Sequence, residues 1–139
     1  MSKAEIREMH PNDRGEVACF AKLAKPGGET RTVTLVAVAD ARVVGYAEMS
    51  PTFFQRQFIS LLGVRPEHRR QGVATALMKA VEARCKGGKL FTSTNLSNAP
   101  MQALLAKMEY HLCGVLEELD ERDPELVFVK RLGNPGSAL

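Results

Sequence analysis

Cysteine is scarce in this 139-residue chain: Cys19, Cys85 and Cys113 stand far apart, with no C-x-x-C pair among them. An odd and scattered set argues against a disulfide framework and a zinc finger, and reduced thiols in a cytoplasmic protein are the simplest reading. Histidine is as sparse, and His10, His68 and His111 lack the spacing of metal ligands, so no metal is expected. Long apolar runs are missing too. The longest, Val33 to Ala39, falls far short of the ~20 residues that cross a bilayer. The charge-studded N-terminal segment lacks a signal peptide's apolar stretch, and no membrane partner is expected. Neither G-x-x-x-x-G-K-[ST] nor G-x-G-x-x-G occurs, which argues against nucleotide binding by those two routes. An excess of one charge is also lacking. Nineteen Lys and Arg oppose 16 Asp and Glu, and the net +3 is too mild to mark a nucleic-acid binder.

What is present reads as one globular domain. Apolar residues at 45% and charged residues at 25% are ordinary for a folded chain, and the length suffices for a single core. The segment 6–9 is weakly strand-like. Val17, Phe20, Ala21 and Ala24 recur at helical spacing, which predicts a helix over 13–25 ended by Pro26-Gly27-Gly28. Three β-rich runs follow at 32–39, 43–50 and 58–64, the first two joined at Asp40-Ala41-Arg42 and the second closed by Pro51. From Gly72 onward Val73, Ala76, Leu77, Ala80 and Val81 form an apolar helical stripe, with Gly87-Gly88 as its stop. A strand over 89–95 comes next, then a helix capped by Asn98 with Met101, Leu104, Leu105 and Met108 inward. Strands over 111–119 and 125–132 complete the domain, expected over 1–132, with 133–139 as a frayed tail.

The segment LLGVRPEHRRQGVAT, residues 61–75, carries the chemistry: a strand, a basic loop, and a glycine opening a well-patterned helix. The first N–H groups of a helix have no internal partner and sit at the positive end of its dipole. Gly72 allows close backbone approach, and Arg69 and Arg70 add cations, so a pyrophosphate is the natural guest. On the residues alone a second reading stays open, an ordinary strand–loop–helix connection with solvated arginines.

Arg69-Arg-Gln-Gly-Val-Ala74 resembles the R/Q-x-x-G-x-G/A signature of the GNAT superfamily of acyl-CoA-dependent N-acetyltransferases, and Leu62-Gly-Val-Arg-Pro66 resembles its strand-to-loop lead-in. Residues 98–110 are similar to the family's second cofactor helix, N-x-x-A-x-x-x-Y-x-K-x-G-F. The resemblance implies a single α/β domain with a central mixed, mostly antiparallel sheet of about six or seven strands flanked by helices. It implies transfer of an acetyl group from acetyl-CoA to a primary amine by direct attack in a ternary complex. It also implies roles. Leu62, Gly63 and Val64 would pair with the pantetheine arm, and Val64 is the one expected to aim its N–H at the thioester oxygen. Arg69, Arg70, Gln71, Gly72, Val73, Ala74 and Thr75 would hold the pyrophosphate, and Asn98 and Lys107 would lie along the arm.

The departures from the family pattern matter as much. The family's thiolate-protonating tyrosine falls on Leu105, which has no proton to give, and Tyr110 stands five residues on as a substitute acid or as the start of a strand. A thiol of pKa near ~8.5 leaves tolerably as a thiolate, so solvent could protonate it. An alkyl ammonium of pKa near ~10.4 needs a base, and Glu48, on one strand face with Tyr46 and Ser50, is the candidate. The other reading of Glu48 is a solvated or salt-bridged strand residue. Phe53 and Phe54 suit an acceptor pocket, a dimer contact or packing over the sheet edge. The run 116–125 carries six acidic residues, read as an exposed hairpin or as an attraction for a cationic amine. Little chain separates the first two strands, which points to an open acceptor site or one completed by a second subunit in a homodimer. A non-catalytic acyl-CoA-binding module is the competing function; no nucleic-acid partner is expected, because the basic loop lacks interleaved aromatics.

Overall fold

Alternation of apolar and polar residues in the β-rich runs builds one sheet, and the two apolar helical stripes cover one of its faces. The computed structural model describes residues 3–21 and 31–133. Its strands are β1 (Glu5–Glu8), β2 (Val33–Ala39), β3 (Arg42–Phe53), β4 (Arg56–Val64), β5 (Lys89–Asn95), β6 (His111–Leu116) and β7 (Glu125–Arg131). They form a seven-stranded sheet in the order β1-β2-β3-β4-β5-β7-β6, antiparallel except where β4 and β5 run parallel. Helices α1 (Arg14–Val17), α2 (Val73–Arg84) and α3 (Ala99–Lys107) flank it. The expected α/β fold with a mixed, mostly antiparallel sheet is therefore what the chain adopts.

The two faces are packed unequally. Leu77, Met78 and Val81 of α2 and Leu105 of α3 are fully buried against Leu35, Ala47, Met49 and Leu90. On the other face, among the described residues, Val17, Val36, Val43 and Tyr46 form a smaller buried cluster, with Phe20 and Leu61 beside it. Gly45 lets α2 approach the first face: an added Cβ would stand 2.9 Å from both Leu77 Cδ1 and Val73 Cγ1.

Several expected boundaries shift. The helix over 13–25 is realised as a 3-10 turn at Pro11–Asp13 and the short α1, and its remainder with Pro26-Gly27-Gly28 lies outside the described residues. Its Val17, Phe20 and Ala21 do share a face, as their spacing requires. Pro51 does not close β3. The register between β3 and β4 shifts between Ser50 and Phe53, and proline is tolerated at such an irregularity because its missing N–H breaks no ladder. α2 stops at Arg84, before Gly87 and Gly88, whose positive φ values of 100° and 77° instead turn the chain into β5. β6 ends at Leu116, because Asp120 and Asp123 bind Asn95 and Ser97 and fold the acidic run into a loop. Residues 134–139 of the expected tail lie outside the described residues.

Candidate active site

The site grows from a fork in the sheet. β4 and β5 pair only at Phe58–Phe91 and Ile59–Thr92, and Thr92 Oγ1 donates to Ile59 O at 3.1 Å. Beyond that point the strands part and β4 is left with an open edge. Arg65 N–H donates to Val44 O at 2.8 Å, one step outside the Gly45–Val64 pair, so that pair is a non-hydrogen-bonded one. By alternation, Leu62 and Val64 turn their N–H and C=O groups to the open edge, while Gly63 turns its own to β3. Arg69 Nε reaches Val64 O from the open side at 3.3 Å.

The helix facing this edge begins where its sequence requires. Gly72 caps α2 at φ 81°, a left-handed conformation that glycine adopts without strain. The first helical bond runs from Ala76 N–H to Gly72 O at 3.0 Å, so the N–H groups of Val73, Ala74 and Thr75 lack helical partners. α3 supplies the opposite wall. Asn98 Oδ1 accepts from Met101 N–H at 3.1 Å, which caps the helix and keeps Nδ2 as the donor that Asn98 can offer a ligand.

Between these elements lies a cleft of about 790 Å³. It brings together Leu62, Gly63 and Val64 of β4, Arg69, Arg70, Gly72, Val73, Ala74 and Thr75 of the loop and helix start, and Asn98 and Lys107 of α3. Gln71 is placed outside this lining: its Nε2 donates to Glu67 O at 3.4 Å, and it borders a smaller hollow with Lys3 and Ala4. Pro100, Met101 and Leu104 also line the cleft, and so does His68, for which a phosphate contact is the alternative to a solvated loop position. The spacing of Met101 and Leu104 marked them as core residues. They sit at the stripe's margin, partly buried, and serve both surfaces. Arg65, next to the basic loop, turns away from it. Its Nε donates to Val43 O at 2.7 Å, and its guanidinium lies 4.9 Å from the Phe20 ring centre.

Glu48 lies on the other face of the sheet, as its alternation with Tyr46 predicts. Tyr46 Oη donates to Glu48 Oε2 at 2.6 Å, and Ser60 Oγ donates to Oε1 at 3.0 Å. Ser60 reaches this face through a bulge, since Glu48 pairs with Leu61 whereas Met49 pairs with Ile59. Ser60 carried no sequence signal, because a bulge in β4 is not visible in the alternation alone. Burial, then the Glu48 carboxylate, push the Tyr46 hydroxyl well above the usual tyrosine range, so it stays a donor at neutral pH. Tyr110 is placed apart from the cleft. It is buried in the core, and its hydroxyl donates to Glu82 Oε2 at 2.7 Å, which Lys130 Nζ also binds at 3.1 Å. Burial and Glu82 push that hydroxyl up too. Leu105 is fully buried. Burial also raises the Cys85 and Cys113 thiols, which disfavours the thiolate needed of a nucleophile.

Comparison with known proteins bears on the same region. The profile of the acetyltransferase (GNAT) family matches residues 4–110. A mycothiol acetyltransferase from Parafrankia sp. (strain EAN1pec) is 51% identical over 49 residues, a stretch that covers 35% of this chain and only 15% of that protein. A GNAT-family acetyltransferase from Bacillus cereus ATCC 10987 superposes with a TM-score of 0.81 at 24% identity, covering 96% of this chain and all of the other. One from Elizabethkingia anophelis, solved with acetyl-CoA bound, gives 0.73 at 16% identity, with 95% of this chain and 100% of that one covered. The likeness to these two structures shows the fold. With its family profile spanning β1 through α3, the chain belongs to the GNAT acetyltransferase family.

Proposed function

We propose that the chain is an acetyl-CoA-dependent N-acetyltransferase over residues 1–132, working in the cytoplasm on a primary amine. The observation that carries this reading is the cleft, where the outward edge of β4 and the unpartnered N–H groups of α2 face one ligand-sized space. The phosphates would lie against the N–H groups of Val73, Ala74 and Thr75, with Arg69 and Arg70 adding charge. The pantetheine arm would pair as an added strand with Leu62 and Val64, near Asn98 and Lys107. Bound there, acetyl-CoA supplies an activated acyl group at the fork. The N–H groups of Leu62 and Val64 are the donors available to oppose charge on the thioester oxygen.

The amine would approach from the Glu48 face. Glu48 takes a proton from the ammonium, directly or through water, and Tyr46 and Ser60 hold its carboxylate in place. The amine nitrogen bonds to the thioester carbon, the C–S bond breaks as the tetrahedral intermediate collapses, and the nitrogen gives its second proton to solvent, leaving the amide and CoA thiolate. The thiolate takes its proton from solvent, because Leu105 has none and Tyr110 is committed to Glu82.

The test is thiol release from acetyl-CoA in the presence of an amine panel. Glu48→Gln should lower kcat by about a hundredfold and change its rise with pH, while acetyl-CoA still binds. An unchanged pH profile would remove Glu48 from the base role. The absence of an acid at Leu105 favours one other reading, a non-catalytic acyl-CoA-binding module. Tight CoA binding without turnover on any amine would establish that instead.

A further inference from the structure

The face that carries Glu48 also carries a row of phenylalanines that neither core cluster absorbs. Phe58 pairs with Phe91 where β4 and β5 last touch, and Phe53 at the end of β3 leans over both. The Phe53 ring centre lies 5.2 Å from Phe58 and 5.1 Å from Phe91. All three are partly buried rather than sealed. Phe54, 84% exposed, meets Phe53 edge-on at 5.0 Å. It sits at φ 49°, a conformation costly for a bulky side chain, so the hairpin tip holds an aromatic ring where glycine or asparagine would be easier.

We propose that the acceptor is a small primary amine bearing a flat apolar body, which stacks on this row while its nitrogen meets Glu48. The inference rests on the acetyl-transfer reading above. Three observations carry it. The row begins at the crotch of the fork, where an acyl group held on the far face would be reached. Phe58 stands two residues before Ser60, whose hydroxyl holds Glu48. Two strand residues span about 6–7 Å, roughly an aryl ring plus a two-carbon link to nitrogen. Finally, a carboxylate beside an apolar platform is complementary to a cation with an apolar tail, and a site of this kind takes its orientation from few polar groups.

Competing acceptors fit less well. Of the acidic run that a polycation would draw on, Asp120 already accepts from Asn95 Nδ2 at 2.8 Å and Asp123 from Ser97 Oγ at 2.6 Å. An amino sugar needs polar partners for its several hydroxyls, and the phenyl rings of the row supply none.

The experiment follows thiol release from acetyl-CoA with 2-phenylethylamine, ethanolamine, spermidine, glucosamine and a glycine-initiated dipeptide. We expect kcat/KM for 2-phenylethylamine to exceed that for ethanolamine at least tenfold. Phe58→Leu and, separately, Phe91→Leu should each cut that ratio about tenfold, mainly through KM for the aryl amine. Acetyl-CoA binding and the thermal midpoint report whether each variant folds. Preference for ethanolamine, spermidine, glucosamine or the dipeptide, or a ratio indifferent to both variants, overturns the acceptor class and leaves acetyl transfer standing. Bound acetyl-CoA with no release on any amine overturns the transfer reading and this inference together.

Discussion

The two faces of the sheet are built on different principles. Under α2 and α3 the sheet is sealed by aliphatic side chains, and Leu77, Met78, Val81 and Leu105 have no exposed surface. The opposite face has α1 over Val36, Val43 and Tyr46, and beyond it a carboxylate, two hydroxyls and half-buried rings. It is held largely by polar links: Arg7 to Asp13, Val43 N–H to Glu16 Oε2 at 2.9 Å, and Arg65 to Val43 O. Rigid packing suits the first face, because the α2 N–H groups and the β4 edge must stay in register to share one ligand. The second face keeps the Glu48 carboxylate and the Ser60 hydroxyl partly open to solvent, which the proposed proton transfer from an amine would use.

If packing is so unequal, truncations on the two faces should differ sharply. Leu77→Ala, in the sealed face, should cost about 3–4 kcal/mol in chemical denaturation, through lost burial and the cavity left behind. Phe54→Asn, on the hairpin tip, should change stability by less than about 0.5 kcal/mol, since little contact is lost and asparagine tolerates positive φ. Equal losses would break the comparison. Gly45→Ala sharpens it from the backbone side. The new methyl must displace Leu77 or Val73 at the foot of α2, at a cost of about 2 kcal/mol. Because the helix start moves with it, acetyl-CoA affinity measured by calorimetry should fall as well.

The same division explains what could be read in advance. The sealed face and its cleft follow from local signals: the stripe from Val73 to Val81, glycine at the helix start, asparagine at the next cap, and an element order that resembles one family. Those signals point to Leu62 to Val64, Arg69, Arg70 and Asn98, and the cleft brings these residues together. What escaped depends on tertiary choices. Gln71 and His68 stand three residues apart in one loop, and nothing in the composition tells that Gln71 turns to Glu67 O and leaves the cleft while His68 borders both hollows. Arg65 had the charge of the basic loop but found Phe20 and the Val43 carbonyl instead. Ser60 needed a bulge to reach Glu48, and the phenylalanine row needed β4 and β5 to be neighbours, which no local spacing reveals when the paired Phe58 and Phe91 stand 33 residues apart.

A smaller loss than at Leu77 or Gly45 is expected where the open face is tied down by charge. Arg7 Nη1 donates to Asp13 Oδ2 at 2.8 Å and Nη2 to Oδ1 at 3.0 Å, while His10 N–H donates to Oδ2 at 2.7 Å. The Arg7 guanidinium, more than the backbone N–H, holds the Asp13 carboxyl below the usual carboxylate range, against the opposing effect of burial. A carboxyl depressed in the folded state favours folding above its unfolded value, near ~3.9. That contribution is lost as pH falls through the lower folded value, when both states hold the proton. Asp13→Asn should therefore cost about 1 kcal/mol at pH 6–7, and the gap between variant and wild type should narrow as the pH drops below about 4. Urea denaturation at a series of pH values measures it. A gap that is constant down to pH 2 would mean that shape and capping at Asp13, not its charge, hold α1 to the sheet, and the two faces would then differ in packing density alone.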